Sequence, residues 1–435
     1  MRTPVAFTPQ LRSAGRRLVI ASVIAIAAAT LWPQAGTATE DHLCIICGDV
    51  GGVDAVLNVL LFMPLGAGLA LWGIGATRAI ACMSALTVSV ETAQLLIIPG
   101  RDAVLGDVLT NVVGGVLGYV IGRTLYDWLA PDARTATRLT FGWAALWLGA
   151  QAVASVAFVP AMTGSPYYGQ IAHSFPHLET FHGHVLSFTV DTMSIPDRRM
   201  VDWSRVSASL DAHAIAQASA TISDPTPDLA PIVGIMDKRE QLILVMGQRR
   251  ESMVFAVRTV AAVLHLRPPL FQLPDAFRDG GSRVDTLPYL LAARYGPRAV
   301  SLRAETERAT VSQRIALSPA FGWALLFPMP WYISGDALDV AFSCAWTALL
   351  LLPLGYWGWH AGRGTTTVRA MTLTVAIFAF CGVGLIIVPL MVGISSAGVS
   401  TVLAALTGLA IGCALARLGS HRASTERSRD CYTMQ

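Results

Sequence analysis

Eight runs of apolar residues constrain this chain more than any other feature of its sequence. A helix needs about 20 mostly apolar residues to cross the hydrocarbon layer of a bilayer. Only 14% of the 435 residues are charged, against about a quarter in soluble domains. The sequence therefore predicts an α-helical polytopic membrane protein with about eight transmembrane helices. The runs lie near residues 18–33, 53–74, 79–98, 105–125, 139–160, 338–359, 370–391 and 398–416.

Arginine placement predicts the orientation of these helices. If the N-terminus is cytoplasmic, the short outside loops contain only Arg101. This asymmetry follows the positive-inside rule and predicts a bacterial inner-membrane protein with both termini cytoplasmic. The first run also has the look of a signal peptide, and its cleavage stays open. The arginines that fall inside are Arg2, Arg12, Arg16, Arg17, Arg78, Arg123, Arg134, Arg138, Arg363, Arg369, Arg417, Arg422, Arg427 and Arg429.

Three parts of the chain follow from this arrangement. Residues 1–160 form a membrane block with about five helices, and residues 337–435 form a block of about three with a cytoplasmic tail. Residues 161–336 contain no spanning run and fall on the outside. Within them, the apolar and aromatic stretch Phe321 to Ile333 is too short to span and predicts a segment at the membrane interface.

The outside insert has the pattern of an antiparallel β-sandwich. Short β-branched or apolar segments alternate with turn residues, and no long helical period competes. We expect a domain of about 120 residues that begins near residue 170 and ends near residue 280. The predicted strands are Pro231 to Met236, Gln241 to Gly247 and Ser252 to Arg258, with His184 to Val190 and Val206 to Leu210 less clear.

Polar residues occur at helical spacing in the second, third and fourth runs. Asp54 and Asn58 are four residues apart, Glu91 and Gln94 three apart, and Asp107 and Asn111 four apart, so each pair lies on one face of its helix. The predicted topology places all six toward the outer leaflet, beneath Arg101 and Asp102 in a short turn. Intramembrane ionisable residues are candidates for function, and Glu91 is the deepest acid of this set.

Packing is the alternative explanation for parts of this pattern. Asn58 and Asn111 could serve only as interhelical hydrogen-bond partners, worth about 0.6–2 kcal/mol each. Gly114, Gly118 and Gly122 form a ridge of small residues that allows close approach of a neighbouring helix. We interpret the glycines as packing residues and not as a site.

Two resemblances to known families add to this interpretation. The motif "DxxxNxxxFxPLG" from Asp54, the "ExxQ" at Glu91 and the positions Arg101, Asp107, Asn111 and Gly114 together resemble the VanZ-like family. That resemblance implies a role at the cell envelope and in sensitivity to glycopeptides of the teicoplanin type. The segment "PIVGIMDKREQLILVMGQRRESMVFAVRT" resembles the paired strands of a concanavalin A-like, LamG-type jelly roll, many of which bind glycans.

The remaining polar features carry weaker predictions. Cys44 and Cys47 form a lone CxxC on the predicted outside, where disulfides persist, so they are a disulfide candidate. Free thiols, half a metal site and a catalytic redox role are the alternatives. The histidines near the start of the insert, His173, His177, His182 and His184, are more typical of a solvated cluster than of a metal site. We predict no metal, no cofactor and no nucleic-acid partner.

Three functions fit the sequence. The first is binding or processing of a lipid-linked envelope glycan or cell-wall precursor, with Asp54, Asn58, Gln94, Arg101, Asp107 and Asn111 as ligand-binding residues and Glu91 as a candidate general base. The second is a proton-coupled transporter or flippase. The third is a non-catalytic scaffold that binds glycan or protein partners through the β-sandwich. Whether the chain is an enzyme stays open.

Overall fold

A computed structural model of the protein describes residues 8–31, 44–46, 48–98, 104–175, 178–222, 224–278 and 288–433, with side chains up to residue 420. The chain divides into two compact units, Met1–Leu139 and Thr140–Gln435. Eight helices in the described residues are long and apolar enough to cross a membrane. The predicted class, a helical membrane protein with a β domain, is therefore confirmed.

The first unit is a helical bundle. It contains the helices α1 (Pro9–Thr30), α2 (Gly51–Trp72), α3 (Ala76–Leu96), α4 (Leu105–Arg123) and α5 (Leu125–Leu129). Helix α6 (Ala133–Ala157) starts in this unit and continues into the second. The interior of the bundle is an apolar cluster built around Phe62 and Met83, which are fully buried.

Glycines bring α2 and α4 into direct backbone contact. A Cβ atom on Gly118 would lie 1.8 Å from the carbonyl oxygen of Met63, and one on Gly114 would lie 2.2 Å from that of Val59. Reciprocally, a Cβ atom on Gly66 of α2 would lie 1.8 Å from the carbonyl oxygen of Gly115. Any side chain at these positions would push the helices apart. The interpretation of the glycine ridge as a packing surface agrees with this geometry.

The second unit contains a β domain of two six-stranded sheets. One sheet has the order β1-β5-β6-β7-β8-β12 and the other the order β11-β10-β9-β4-β2-β3. All pairs are antiparallel except β12 with β8. The strands are β1 (Tyr167–Ile171), β2 (His184–Val190), β3 (Met193–Ser194), β4 (Ile215–Thr221), β5 (Ala230–Asp237), β6 (Leu242–Arg249), β7 (Ser252–Val257), β8 (Leu270–Leu273), β9 (Tyr289–Tyr295), β10 (Ala299–Glu305), β11 (Thr310–Ala316) and β12 (Tyr332–Ile333).

Two predictions about this domain were wrong. Val206 and Leu210 lie in the helix α7 (Trp203–Asp211), where both are buried on one face; their spacing of four is helical, and it was mistaken for a strand. The domain also extends past residue 280, because β9, β10 and β11 complete the second sheet. The three clearer strand predictions correspond to β5, β6 and β7, and the less clear prediction His184 to Val190 corresponds to β2; all four are confirmed.

A buried tyrosine ties the β domain to the end of α6. The hydroxyl of Tyr295 donates to the carbonyl oxygen of Phe158 at 2.6 Å, and both residues are buried. The Tyr295 ring lies edge-on to Phe271 of the other sheet, with 5.8 Å between the ring centroids. Burial raises the pKa of the Tyr295 phenol well above its ordinary value, so the hydroxyl keeps its proton and remains a donor.

Asp339 binds the segment that leads from the β domain into the second helical block. Short helices α8 (Val260–Val263) and α9 (Gly322–Leu325) precede the block, which contains α10 (Ala337–Gly362), α11 (Thr367–Gly382), α12 (Val388–Val392) and α13 (Val399–Thr433). The Asp339 carboxylate is buried and accepts from the indole nitrogen of Trp331 and from the backbone nitrogens of Ser334 and Gly335, each at 2.7 Å.

The segment predicted to lie at the interface packs on α10. Trp323 is buried, and its indole nitrogen donates to the Ser343 hydroxyl at 3.0 Å. Its ring contacts Phe342 and Trp331, with centroids about 5 Å apart. The indole N–H of Trp323 therefore has its hydrogen-bond acceptor within the protein and does not need one from lipid headgroups or water.

Candidate functional site

The buried face of α3 changes from apolar to polar along the helix. Its buried positions include Ala79 and Met83 in the first half, then Thr87, Glu91 and Gln94 in the second. The spacings of four, four, four and three keep these side chains on one stripe of an α-helix. The second half of that stripe is the centre of the candidate site, because it places three polar side chains inside an apolar bundle.

Glu91 holds the start of α4. Its side chain is 8% exposed, and its Oε2 atom accepts from the backbone nitrogen of Val104 at 3.0 Å. Val104 is the residue before the first turn of α4. A carboxylate at this end of a helix is stabilised by the unpaired backbone N–H groups and by the helix dipole. Glu91 therefore has a structural partner as well as the chemistry predicted for it.

Asn58 and Asp107 join α2 to the same end of α4. The Nδ2 atom of Asn58 donates to Oδ1 of Asp107 at 2.9 Å, and both residues are half-buried. Asp107 lies in the first turn of α4, so two carboxylates, its own and that of Glu91, meet the N-terminal end of this helix. The structure thus brings together three of the predicted residues around one helix terminus.

Asn111 forms the next layer, one turn further along α4. Its Nδ2 atom donates to the hydroxyl of Thr87 at 2.9 Å, and both residues are buried. The Nε2 atom of Gln94 donates to the carbonyl oxygen of Thr30 at the end of α1, also at 2.9 Å. Side-chain amides from α3 and α4 therefore link three helices of the bundle.

Two buried oxygen atoms in this cluster have no hydrogen-bond partner among the described residues. They are Oε1 of Gln94 and Oδ1 of Asn111, and their residues are 5% and 2% exposed. A buried acceptor without a partner costs about 1–3 kcal/mol. Such atoms in a native fold call for an explanation, and a bound donor group is one.

The other predicted residues fall in different places. Asp54 lies in the first turn of α2 and is exposed. Arg101 lies outside the described residues, as do Cys47 and His177. Cys44 is disulfide-bonded, and its pairing with Cys47 stays a prediction. Within the described part of the chain, no group of three or more His, Cys, Asp or Glu side chains is placed to hold a metal ion.

Sequence reasoning missed two hydrogen-bond partners of the predicted residues. Thr87 was not singled out, although it precedes Glu91 by four residues and so shares its face of α3. The carbonyl oxygen of Thr30 could not have been found, because a backbone acceptor has no sequence signal. We define the polar cluster as Asn58, Thr87, Glu91, Gln94, Asp107 and Asn111.

All six residues of the polar cluster lie within one segment that matches a known family. Residues 10–126 match the VanZ/LLP1 family model. This VanZ/LLP1 segment comprises less than half of the chain, contains α1 to α4, and ends before the β domain. No curated protein and no solved structure matches the chain. The likeness therefore describes the first membrane block and leaves the β domain without a relative in these comparisons.

Proposed function

We propose that the VanZ/LLP1 segment binds the polar head of a lipid-linked envelope glycan or cell-wall precursor. The observation that carries the proposal is the pair of buried, unpartnered oxygens, Oε1 of Gln94 and Oδ1 of Asn111. Both atoms only accept hydrogen bonds, so they suit a ligand that offers hydroxyl or amide hydrogens, as a sugar does. A buried site that hydrogen-bonds a hydroxyl discriminates strongly against ligands that lack it.

Arg101 and several residues of the polar cluster have separate roles in this proposal. Arg101, predicted to lie in the turn above α3 and α4, would hold the phosphate by bidentate hydrogen bonds. Asp107 and Asn58 would fix the start of α4 around the ligand. The contact between Glu91 and Val104 supports a positioning role for Glu91; its action as a general base stays a prediction, and so does the assignment of enzyme activity.

The same proposal includes the membrane orientation of the chain and the position of the β domain. The chain would lie in the bacterial inner membrane with both termini cytoplasmic, as its arginines predict. The β domain would then be outside, where a glycan-binding surface of the concanavalin A type has access to envelope polymers. An influence on sensitivity to teicoplanin-type glycopeptides is what the resemblance to the VanZ-like family implies.

A binding assay tests the proposal. The full-length protein in nanodiscs would be titrated with a polyprenyl diphosphate that carries an amino sugar. Glu91→Ala, Arg101→Ala and Gln94→Met should each weaken binding about tenfold or more, the effect of losing one well-made polar contact of about 1.4 kcal/mol. Cells that carry these variants should also change in teicoplanin sensitivity.

The matched control is Thr92→Val. Thr92 follows Glu91 on α3, is exposed, and bonds only to the Val88 carbonyl of its own helix. We expect it to bind like the parent protein. Unchanged binding and unchanged glycopeptide sensitivity in Glu91→Ala and Arg101→Ala would remove the proposal. Proton flux through proteoliposomes that disappears in Glu91→Ala would favour a proton-coupled transporter instead.

A further inference from the structure

Two neighbouring cavities in the second unit form one continuous polar surface. The upper cavity, about 530 Å³, lies on the outward face of the sheet formed by β4, β9, β10 and β11. The lower cavity, about 500 Å³, lies between the end of β11 and the beginning of α13. Gln313 and Arg314 line both cavities. A ligand could therefore extend from the ends of the membrane helices onto the sheet.

Hydrogen bonds fix the lower cavity between the β domain and the membrane helices. The backbone nitrogen of Ser395, in the loop before α13, donates to the carbonyl oxygen of Leu317 at 2.9 Å. The Ser395 hydroxyl donates to the carbonyl oxygen of Arg298 at 2.8 Å. Leu317 in turn donates to that same carbonyl at 2.9 Å. The loop is thus bound to two strand ends, and the cavity is part of the folded unit.

The lower cavity is cationic. Arg298 and Arg314 both line it, both are exposed, and their guanidinium groups make no hydrogen bond or ion pair with the described residues. Its lining contains no acidic residue. Thr401 also lines it, is 6% exposed, and its hydroxyl makes no hydrogen bond to any residue that the structure describes. Other hydroxyl groups in the lining belong to Ser318, Ser343, Ser395, Ser396 and Ser400.

The upper cavity continues this positive charge across the sheet. Ser301 of β10 lies opposite Arg294 of β9 on one side and Arg314 of β11 on the other. Arg303 lies two residues along the same strand and hence on the same face. Small side chains between the arginines leave their guanidinium groups accessible. Glu305, which pairs with Arg303 at 2.7 Å, is the only acid in this lining.

We propose that this arginine surface, defined as Arg294, Arg298, Arg303 and Arg314, binds the anionic head of a membrane lipid. The phosphate would lie in the lower cavity between Arg298 and Arg314, with the buried Thr401 hydroxyl as a further donor. A guanidinium group matches two phosphate oxygens in a bidentate contact. Any polar group attached to that phosphate would lie along the sheet, toward Arg294 and Arg303.

The surroundings of the lower cavity point to a lipid as the source of this anion. Helices α10 and α13 both begin beside the cavity, so it borders the membrane surface next to the β domain. Apolar side chains of Phe321, Val340 and Leu390 line it together with the arginines. A lipid carries its phosphate next to acyl chains, which would contact these apolar side chains. A free inorganic anion would make no favourable contact with them. The site lies in a different unit from the VanZ/LLP1 segment and does not depend on the function proposed for that segment.

Native mass spectrometry of the full-length protein tests this site. The protein would be released from micelles that contain phosphatidylglycerol and phosphatidylcholine, and the retained phosphatidylglycerol would be counted. We expect the variant Arg298→Gln/Arg314→Gln to bind phosphatidylglycerol at least tenfold more weakly, because each arginine supplies a charge-assisted contact. Thr401→Val should give a smaller loss at nearly constant side-chain volume.

Arg308→Gln is the matched control. Arg308 lies in the turn between β10 and β11, is exposed, and lines neither cavity. It should retain phosphatidylglycerol like the parent protein. Equal losses in Arg308→Gln and in the double variant would overturn the site, because the effect would then be one of net charge. No loss in the double variant, or displacement of the lipid by millimolar inorganic phosphate, would overturn it as well.

Discussion

The side-chain amide of Asn111 on α4 donates to the hydroxyl of Thr87 on α3 across 2.9 Å in the interior of the first unit. Both residues are buried, so neither can turn to water if its partner is removed. Thr87→Val should destabilise the protein by about 1–2 kcal/mol, the range for interhelical hydrogen bonds in membranes and for buried donors. Unfolding in mixed sodium dodecyl sulfate and neutral detergent measures this change.

A double-mutant cycle separates this contact from general packing. Thr87→Val combined with Asn111→Leu should show a coupling free energy of about 0.5–2 kcal/mol. Thr92→Val, on the exposed side of the same helix, should have almost no effect. A coupling energy of zero would show that the two side chains do not stabilise each other.

Close contact between α2 and α4 predicts a large effect of a single methyl group. A Cβ atom on Gly118 would meet the Met63 carbonyl oxygen at 1.8 Å, and backbone cannot move aside without parting the helices. Gly118→Ala should therefore destabilise the protein by about 1–3 kcal/mol or more. Gly149→Ala in α6 is the control, since a Cβ atom there meets nothing within 4 Å. It should be neutral or stabilising, because alanine favours a helix.

Removal of the Asp339 carboxylate at the start of α10 should lower the stability of the protein. Both carboxylate oxygens of Asp339 accept hydrogen bonds, one from the Trp331 indole nitrogen and the other from the backbone nitrogens of Ser334 and Gly335. Asp339→Asn turns one of these oxygens into a donor, so in either orientation of the amide a donor faces a donor. We expect destabilisation of about 2–4 kcal/mol, seen as a lower midpoint in thermal unfolding. Asp336→Asn is the control. Asp336 caps α10 by accepting from the Asp339 backbone nitrogen at 2.9 Å, and asparagine caps equally well. Equal effects in both variants would contradict the assignment.

Tyr295 predicts a stability that falls at high pH. Burial raises the pKa of its phenol in the folded protein, whereas the unfolded chain titrates near the ordinary value of 10.0. Above that pH the unfolded state loses a proton that the folded state keeps, so the free energy of unfolding decreases by up to about 1.4 kcal/mol per pH unit. Denaturant unfolding between pH 9 and pH 11, values chosen to be about one unit either side of the free phenol's pKa, measures this slope.

Tyr295→Phe should be less stable at neutral pH by about 1–3 kcal/mol, because the buried Phe158 carbonyl loses its donor. It should also have a shallower slope above pH 10, the ordinary phenol pKa. Tyr168→Phe, whose hydroxyl bonds to none of the described residues, should leave both quantities unchanged. An unaltered slope in Tyr295→Phe would assign the pH dependence to other groups.

The disulfide of Cys44 predicts that this residue reacts with alkylating reagents only after reduction. Cys44 should resist alkylation by a maleimide until a reductant is added, since it is disulfide-bonded. Peptide mapping of the unreduced protein should identify Cys47 as its partner, as the CxxC spacing predicts. The Cys44 carbonyl accepts from the backbone nitrogen of Gly106 at 3.2 Å, so reduction should loosen the start of α4. Alkylation of Cys44 without reductant would contradict this.

Prediction from sequence succeeded where burial follows a period along the chain. All eight candidate spans were predicted from the length of their apolar runs. The strands β5, β6 and β7 were predicted from short apolar segments bounded by turn residues. It failed for α7, whose two buried positions four apart also fit a short strand. It also missed β9 to β11, although these three strands pair in chain order. Only the pairing of β9 with β4 joins distant segments of the chain.

The sequence by itself determined that eight segments are long and apolar enough to cross a membrane, that a β-rich insert interrupts the helices, and that polar residues share helix faces in the first block. These features depend on local periodicity and on the free energy of burying apolar surface. Only the tertiary structure decided that Glu91 meets Val104, that Thr87 holds Asn111, and that Arg298 and Arg314 border one cavity. Such contacts join residues far apart in the chain, and the packing of whole helices and sheets fixes their distances.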